Sequence, residues 1–481
     1  MNYLFSDKVK DMQPSAIREI FKSLSDPNMI SFAAGNPAAA SFPVEKIRAI
    51  SEQILLTDPT GALQYSVTEG YGPLREQLKA RLRDKFSIGT SDDELIVTTG
   101  GQQGIDLAAK VLCNEGDTVI CENPSFIGAL NAFRSYNAKL VGVDVEQDGI
   151  NVEKLEQALK DNPNTKLIYL IPTFQNPSGI TMSLEKRRAV LALAERYGAV
   201  ILEDNPYGEL RFDGEDVPTI KSLDKTGTVL YCSSFSKILS AGMRVGFICG
   251  NKALIQKIVV VKQVNDVHTN IFFQMLASRF MEVYGLDEHI ASIRALYRQK
   301  SALMVEALEE QLGGILEIVR PQGGLFIWGT LPDKYDSAVF AKKAIGNMVA
   351  VVEGKTFMPD QSAVSHSFRM NYSTPTDEQI IEGVRRLPSE GRGRQWKIQP
   401  SAKKSSFPAC SRPVRSRSAI ISARCAIGYR CKRNTIVFSA WSTCIRSPCV
   451  RFRLSCDAAR ASCWRCILPA DWTMKTISFR S

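Results

Sequence analysis

The chain has 481 residues, 44% hydrophobic and 23% charged, the composition of a soluble globular protein of more than one domain. It contains no apolar run of about 18 residues, so no membrane span is expected. Its start, MNYLFSDKVKDMQPSAIREIF, has the pattern of a mixed-charge amphipathic helix and not the basic head and apolar run of a secretory signal. The formal net charge of +10 conceals two unlike pieces: residues 1–386 carry 41 Lys and Arg against 47 Asp and Glu, and residues 387–481 carry 19 against 3.

In chain order, PLREQLKARLRDKF (73–86) has helical spacing with its charges outward. ELIVTTGGQQG predicts a short strand, a glycine turn and a helix that runs through IDLAAKVLC to the Glu115-Gly116 stop. The alternation then repeats. TVICENPSF is strand and loop, GALNAFRSY helix, KLVGVDV strand and NVEKLEQALKD helix. KLIYLIPTFQNPSG is strand and loop, and SLEKRRAVLALAERYG helix. AVILEDNPYGEL and TVLYCSSFSKIL are each strand and loop, and RVGFICG is a strand. Short apolar strands alternating with helices of about ten to sixteen residues predict an α/β fold, with a mainly parallel sheet covered on both faces. A long helical region from about Ala253 to Leu312 follows, and then GILEIVRPQGGLFIWGTL and HSFRMNYSTPTDEQIIEGVRRL, which suit a smaller α+β domain. The expected division is an N-terminal segment (1–45) packing with the small domain, a large domain (46–285), the small domain (286–386) and a tail (387–481).

Ligands of such sheets bind in the loops beyond the strand C-termini, and the unusual residues fall there: Gly100-Gly101, Phe126, Asn176, Asp204, Tyr207 and Lys237. Lys237 follows a strand among Ser233, Ser234, Ser236 and small residues. A buried amine of lowered pKa can form a Schiff base, although a strand-end lysine can equally run its stem along apolar surface. Asp204 ends an apolar strand and can cap the next turn or hold a protonated pyridine nitrogen. Tyr207 and Asn176 can hydrogen-bond an aromatic oxyanion, or Asn176 can be a plain turn residue. The glycines that open a helix at TTGGQQG can bring backbone N–H groups to a phosphate, and Ser234, Ser236 and Arg244 can add hydroxyls and a fixed cation. Phe126 can stack on a planar ring or pack in the core. A phosphate, a pyridinium nitrogen, a ring oxygen and a lysine-accepting aldehyde together specify pyridoxal phosphate.

On QPSAIREI, GALQYSVTEGYGPLRE, TTGGQQG, ENPSF, PTFQNPSG, EDNPY, SSFSK, GMRVGF, PQGGLFIW and FRMNYS, in that order, residues 1 to about 386 resemble the fold-type I, class I/II pyridoxal-phosphate aminotransferases. The resemblance is to the 2-aminoadipate, kynurenine and aromatic amino acid branch, whose fold also serves as the C-terminal domain of MocR-type regulators. It implies a large domain with a seven-stranded-type sheet and a smaller α+β domain. It implies that Lys237 carries the cofactor as an aldimine and shuttles the proton, that Asp204 pairs with the ring nitrogen, and that Asn176 and Tyr207 bind the ring oxygen. Gly101, Gln102, Ser234, Ser236 and Arg244 would bind the phosphate, with Tyr65 reaching the neighbouring subunit's phosphate in a homodimer. Phe126 would stack on the ring, where the family often has tyrosine. Arg369 would pair with the substrate carboxylate beside Gly35 and Asn36, in AAGNP, where many relatives carry GGLP. The reaction implied is ping-pong transfer of an amino group from an L-amino acid to a 2-oxo acid, in the cytoplasm. A lyase or decarboxylase on the same fold is one alternative. The other is a MocR-like sensor, which is not expected, because such regulators need an N-terminal helix-turn-helix domain and only about 30 residues precede the first motif.

The tail holds 14 arginines, 15 serines, four of the five tryptophans and eight of the 12 cysteines. It keeps no helical or strand period. Its CxxC at Cys463 and Cys466 has no second pair and no tail histidine, so no metal site is expected. Its basic charge is open to a nucleic-acid reading, but a blander one is preferred and no nucleic-acid partner is expected. It has the composition of an out-of-frame, disordered extension. The body keeps Cys113, Cys121, Cys232 and Cys249 in apolar surroundings, as free thiols of a cytoplasmic protein.

Overall fold

The structure is a computed structural model that describes residues 3–10, 26–362 and 364–389, together with short strands beyond position 429. Of the expected N-terminal helix, Asp7–Lys10 is helical; residues 11–25, with QPSAIREI, lie outside the described residues. A short strand, β1 (Ile30–Ser31), precedes the eight that make the central sheet: β2 (Asp93–Thr98), β3 (Thr118–Asn123), β4 (Lys139–Glu146), β5 (Gly149–Ile150), β6 (Thr165–Leu170), β7 (Val200–Asp204), β8 (Val229–Ser234) and β9 (Gly246–Asn251). Their order is β2-β9-β8-β7-β6-β3-β4-β5. The expected seven strands are present, and the two-residue β5 folds back on β4 as an eighth.

The apolar runs of these strands serve two cores at once. Side chains alternate in direction along a strand, so Val119, Leu167, Tyr169, Leu202 and Leu230 enter one core. Their neighbours Ile120, Ile168, Ile201 and Val229 enter the other, with Leu155, Leu159 and Val190 of the covering helices. β3, β4, β6, β7 and β8 are parallel, whereas β9 is antiparallel to both neighbours. Consequently β2, β3, β6, β7 and β8 all end at one edge of the sheet, and β9 begins there. Every crossover therefore delivers a loop to that edge.

A second, antiparallel sheet is built from β10 (Glu317–Ile318), β11 (Phe326–Thr330), β13 (Val352–Glu353) and β14 (Ser367–Asn371), in the order β10-β11-β14-β13. β12 (Val349–Ala350) pairs instead, in parallel, with β1. The expected helical region of 253–312 is three helices, Lys252–Asp266, Ile271–Tyr284 and Leu286–Leu312, broken at Val267 and Gly285, both with positive φ. In the tail, Arg430–Cys431 pairs with Asn434–Thr435 and Ser439–Trp441 with Arg451–Arg453. No strand period was expected there; the rest of the expectation for that segment lies outside the described residues.

One buried cation anchors the loop after β6. Arg187, fully buried on the helix Leu184–Tyr197, donates to the carbonyls of Met182 (3.0 Å), Pro172 (2.7 Å) and Pro218 (3.1 Å) and to the Thr173 hydroxyl (2.9 Å). Arg187→Met keeps the stem and removes every donor. It should cost about 3 kcal/mol of stability, because buried acceptors are left unpaired; urea denaturation followed by tryptophan fluorescence measures it.

Candidate active site

The edge where the five strands end gathers the chemistry. After β2 the chain turns at Gly100, whose φ of +76° a side chain would strain and whose added Cβ would stand 2.4 Å from Arg244 Nη2. Gly101 opens the helix Gly101–Leu112, so the first N–H groups of that helix face the edge without intrahelical partners. A Cβ on Gly101 would lie 3.9 Å from Ser234 Cβ and 4.0 Å from Asp204 Oδ1, so this glycine lines the space between them.

After β8, Ser234 Oγ and Ser236 Oγ are 2.8 Å apart, and Arg244 Nη1 is 3.4 Å from Ser236 Oγ. Arg244 reaches this place because the antiparallel β9 starts two residues later; it does so with φ of +54°, an uncommon value for a side-chain-bearing residue. Gln102 turns its amide to the Gly128 carbonyl (2.9 Å), so it can offer an anion only its backbone N–H.

Lys237 follows in the same loop, half-buried, and donates to the Gly35 carbonyl at 2.6 Å. Burial, helped by the nearby Arg369 and Arg244 cations, pulls its amine down to about 8. Asp204, at the end of β7, is buried and accepts the Tyr169 hydroxyl at 2.8 Å. Burial pushes its carboxyl up to about 7, against that hydrogen bond. Asn176, in the loop after β6, donates to the Tyr207 hydroxyl (3.2 Å) and accepts from Arg369 Nη1 (2.8 Å).

Arg369, in the middle of β14, is the contribution of the second sheet. Its guanidinium lies over Phe326 (4.1 Å to the ring centre) and Phe357 (4.8 Å), and Nη2 donates to the Ala33 carbonyl (2.9 Å). Nε is buried and has no partner among the described residues. Burial lowers the guanidinium to about 10. Gly35 sits against the Phe326 ring, where a Cβ would approach to 3.3 Å. Asn36 is exposed, and its carbonyl accepts the Ser373 hydroxyl (2.7 Å). Phe126 caps the helix Ile127–Arg134, partly buried. Tyr65 is 82% exposed and edge-on to His268 at 5.9 Å.

Two residues here escape sequence reasoning. Tyr169 is recoverable in retrospect: it pairs with Leu202 in parallel register, so Asp204, two residues on, shares its face. Glu122, next to the last residue of β3, is fully buried, accepts from Ile171 N (3.0 Å) and Gln175 Nε2 (3.3 Å), and is pushed up to about 8 by burial. Nothing in ENPSF distinguishes it from a surface strand-end acid.

The donor set fits one kind of group. Orphaned helix N–H groups, two hydroxyls and a guanidinium suit a phosphate; a buried carboxylate suits a protonated ring nitrogen; an amine of lowered pKa on the same edge suits an aldehyde. The unpartnered Arg369 Nε suits a carboxylate beyond. These are the requirements of a pyridoxal-phosphate enzyme acting on amino acids.

The chain belongs to the aminotransferase class I and II family, which it matches over residues 27–387. It is 39% identical over 387 residues to aromatic-amino-acid aminotransferase 1 of Thermococcus litoralis, covering 80% of this chain and 93% of that one. Its fold superposes on the kynurenine aminotransferase of Pyrococcus horikoshii in complex with PMP with a TM-score of 0.77, at 38% identity, covering 79% and 95% of the two chains. It also superposes on the α-aminoadipate aminotransferase LysN of Thermus thermophilus, complexed with N-(5′-phosphopyridoxyl)-L-leucine, with a TM-score of 0.73 at 35% identity, covering 80% and 96%. The protein is a transaminase, its cofactor is pyridoxal 5′-phosphate, and its substrates are amino acids and 2-oxo acids.

Proposed function

We propose that transfer runs by a ping-pong mechanism at the strand edge, with Lys237 as both the cofactor's attachment point and the proton carrier. The observation that carries this reading is the convergence of a lowered amine, a buried carboxylate and a phosphate-sized donor cradle on one edge of the sheet. The bound cofactor supplies an electron sink for the charge left when the donor loses its α-proton.

The chain's residues do the rest. Lys237 Nζ, neutral in part near pH 8, takes the proton from the donor's Cα. Asp204, held by Tyr169, presents a fixed anion to the ring nitrogen. Tyr207 and Asn176 orient the ring oxygen. Gly101, Gln102, Ser234, Ser236 and Arg244 hold the phosphate, and Phe126 covers the ring. Arg369 takes the substrate carboxylate, with Gly35 and Asn36 beside it. Arg369→Lys loses the planar fork and its stacking on Phe326 and should raise KM by about 10- to 100-fold with a smaller change in kcat. Initial-rate kinetics in the donor amino acid separate the two.

The reading includes a cytoplasmic homodimer. Leu56, Leu63, Tyr65 and Val67 are exposed, as are Val260 and Val264; a second copy that covered them would bring Tyr65 to the partner's phosphate. Cys113, Cys121, Cys232 and Cys249 are free thiols, which suits a reducing compartment. Among the described residues, no helix is long and apolar enough to cross a membrane. Division into a large region of 46–285 and a small one of 286–386 follows the two sheets, with 1–45 joining the small region through β1.

The test is the visible absorbance of the loaded protein before and after aromatic amino acids, kynurenine and 2-aminoadipate are added without an oxo acid. Bleaching with one equivalent of 2-oxo acid per site supports transfer and ranks the donors. A bound cofactor that never converts, or that releases ammonia or carbon dioxide, contradicts it.

A further inference from the structure

Behind the glycine turn lies a cluster of polar side chains with no part in the chemistry so far. Lys262, on the helix Lys252–Asp266, has a side chain 0% exposed. Its ammonium donates to Asp266 Oδ1 (2.7 Å) and to Gln103 Oε1 (2.9 Å). Gln103 Nε2 in turn donates to Asp266 Oδ2 (2.7 Å), so each of the three groups bonds the other two.

Two of the three, Gln103 and Asp266, hold Thr99, the residue before Gly100-Gly101, and Lys262 bonds both of them. Gln103 Oε1 accepts the Thr99 backbone N–H (2.7 Å), and Asp266 Oδ2 accepts its hydroxyl (2.8 Å). On the site side, Arg244 Nη2 reaches the Thr99 carbonyl (3.4 Å). Every polar group of Thr99 is therefore held. Gly246 closes the back of the turn, since a Cβ there would stand 2.7 Å from the Gly100 carbonyl carbon.

A buried lysine is a poor way to stabilise a fold. Desolvation offsets most of the attraction of a buried ion pair, and an apolar residue of the same volume often serves as well. What an ion pair supplies better than a methylene chain is direction. A glycine turn has wide conformational freedom, whereas a phosphate must meet its N–H donors within a few tenths of an ångström to gain their full strength.

We propose that Lys262, Asp266 and Gln103 are positioning residues that fix the Thr99–Gly101 turn for the cofactor's phosphate, and that they act on phosphate binding and not on the lysine bond or the ring contacts. The inference rests on the assignment of the phosphate to this turn under the proposed function.

It separates two ligands that differ only in the phosphate. The full-length chain, freed of cofactor, is titrated with pyridoxal phosphate and with pyridoxal, and binding is followed by visible absorbance. Lys262→Met should weaken pyridoxal phosphate by about 10- to 100-fold, as the loss of a charge-assisted hydrogen bond predicts, with pyridoxal changed by less than about twofold. Thr99→Val, which removes the hydroxyl's bonds to Asp266 (2.8 Å) and to the Thr269 hydroxyl (3.1 Å) and leaves the Lys262–Asp266–Gln103 cluster in place, should move the same ligand in the same direction by less. Should Lys262→Met not fold, Thr99→Val and Gln103→Leu make the same comparison. The proposal is overturned if the variants bind pyridoxal phosphate as the wild type does, or if both affinities fall together. Equal affinity of the wild type for the two ligands would overturn it along with the phosphate assignment; a wild-type preference lost in none of the variants overturns this inference alone.

Discussion

Lys237→Ala is expected to lower amino-group transfer by about 10⁴-fold or more, the largest single loss available in this molecule, because it removes both the attachment point and the proton carrier. The fold should tolerate it. Among the described residues the Lys237 amine makes one hydrogen bond, to Gly35, and its burial works against its charge. The variant should therefore keep the wild-type melting temperature, or exceed it, while losing turnover. It should still bind pyridoxal phosphate, since the phosphate cradle, Asp204 and Asn176 are untouched. Added methylamine, a small free base, should restore part of the α-proton transfer. Stopped-flow absorbance with and without methylamine makes the measurement. Turnover within tenfold of wild type, or no rescue together with loss of cofactor binding, would remove Lys237 from its role.

Much of this arrangement is legible before any coordinates, for a particular reason. A parallel α/β sheet sends its strand ends to one edge, so residues far apart in sequence, Gly101, Asn176, Asp204 and Lys237, can be placed together from the alternation alone. The rule applies to Arg244 less directly. It precedes a strand instead of following one, and only the antiparallel direction of β9 brings it to the same edge. Arg369 is further from reach, because it lies mid-strand in a different sheet; here the resemblance, and not the spacing, named it. The supporting network was not legible at all. Gln103 stands beside Gln102 in GGQQG, and the sequence gives no sign that Gln102 turns to Gly128 while Gln103 reaches back to Thr99. Lys262 lies in a helix where a lysine every few residues usually means solvent; its burial depends on which face the helix turns inward, and IQKIVVVKQVND is apolar on more than one. Sequence patterns register periodicity and special backbone positions. They do not register side chains that act on other side chains.

Asp204→Asn should move activity and stability in opposite directions. Loss of the fixed anion should cut transfer by about 10³-fold, the scale found when one preorganised charge is taken from a buried site. Stability follows from the carboxyl's own titration. In the cofactor-free protein burial raises it to about 7, above the ordinary value near 4 that it has when unfolded. The folded state therefore holds a proton that the unfolded state has released between those values, and stability falls as pH rises from about 4 to about 7. Below this window wild type carries no buried charge at Asp204; above it, the full cost of one. Asparagine has no charge to bury. Cofactor-free Asp204→Asn should thus gain on the wild type by about 2 kcal/mol between pH 5 and pH 8. Glu122, also raised by burial, titrates in both proteins and largely cancels in the difference. Urea denaturation at the two pH values is the measurement. A variant no better relative to wild type at pH 8 than at pH 5 would mean that Asp204 is not a buried charge waiting for a partner. The gain predicted for the empty site is the stability that the wild type forgoes in keeping an anion there, and the cationic ring nitrogen offsets that cost when the cofactor binds. A carboxylate buried for packing alone would have no such partner, and its replacement would show the stability gain without the loss of transfer.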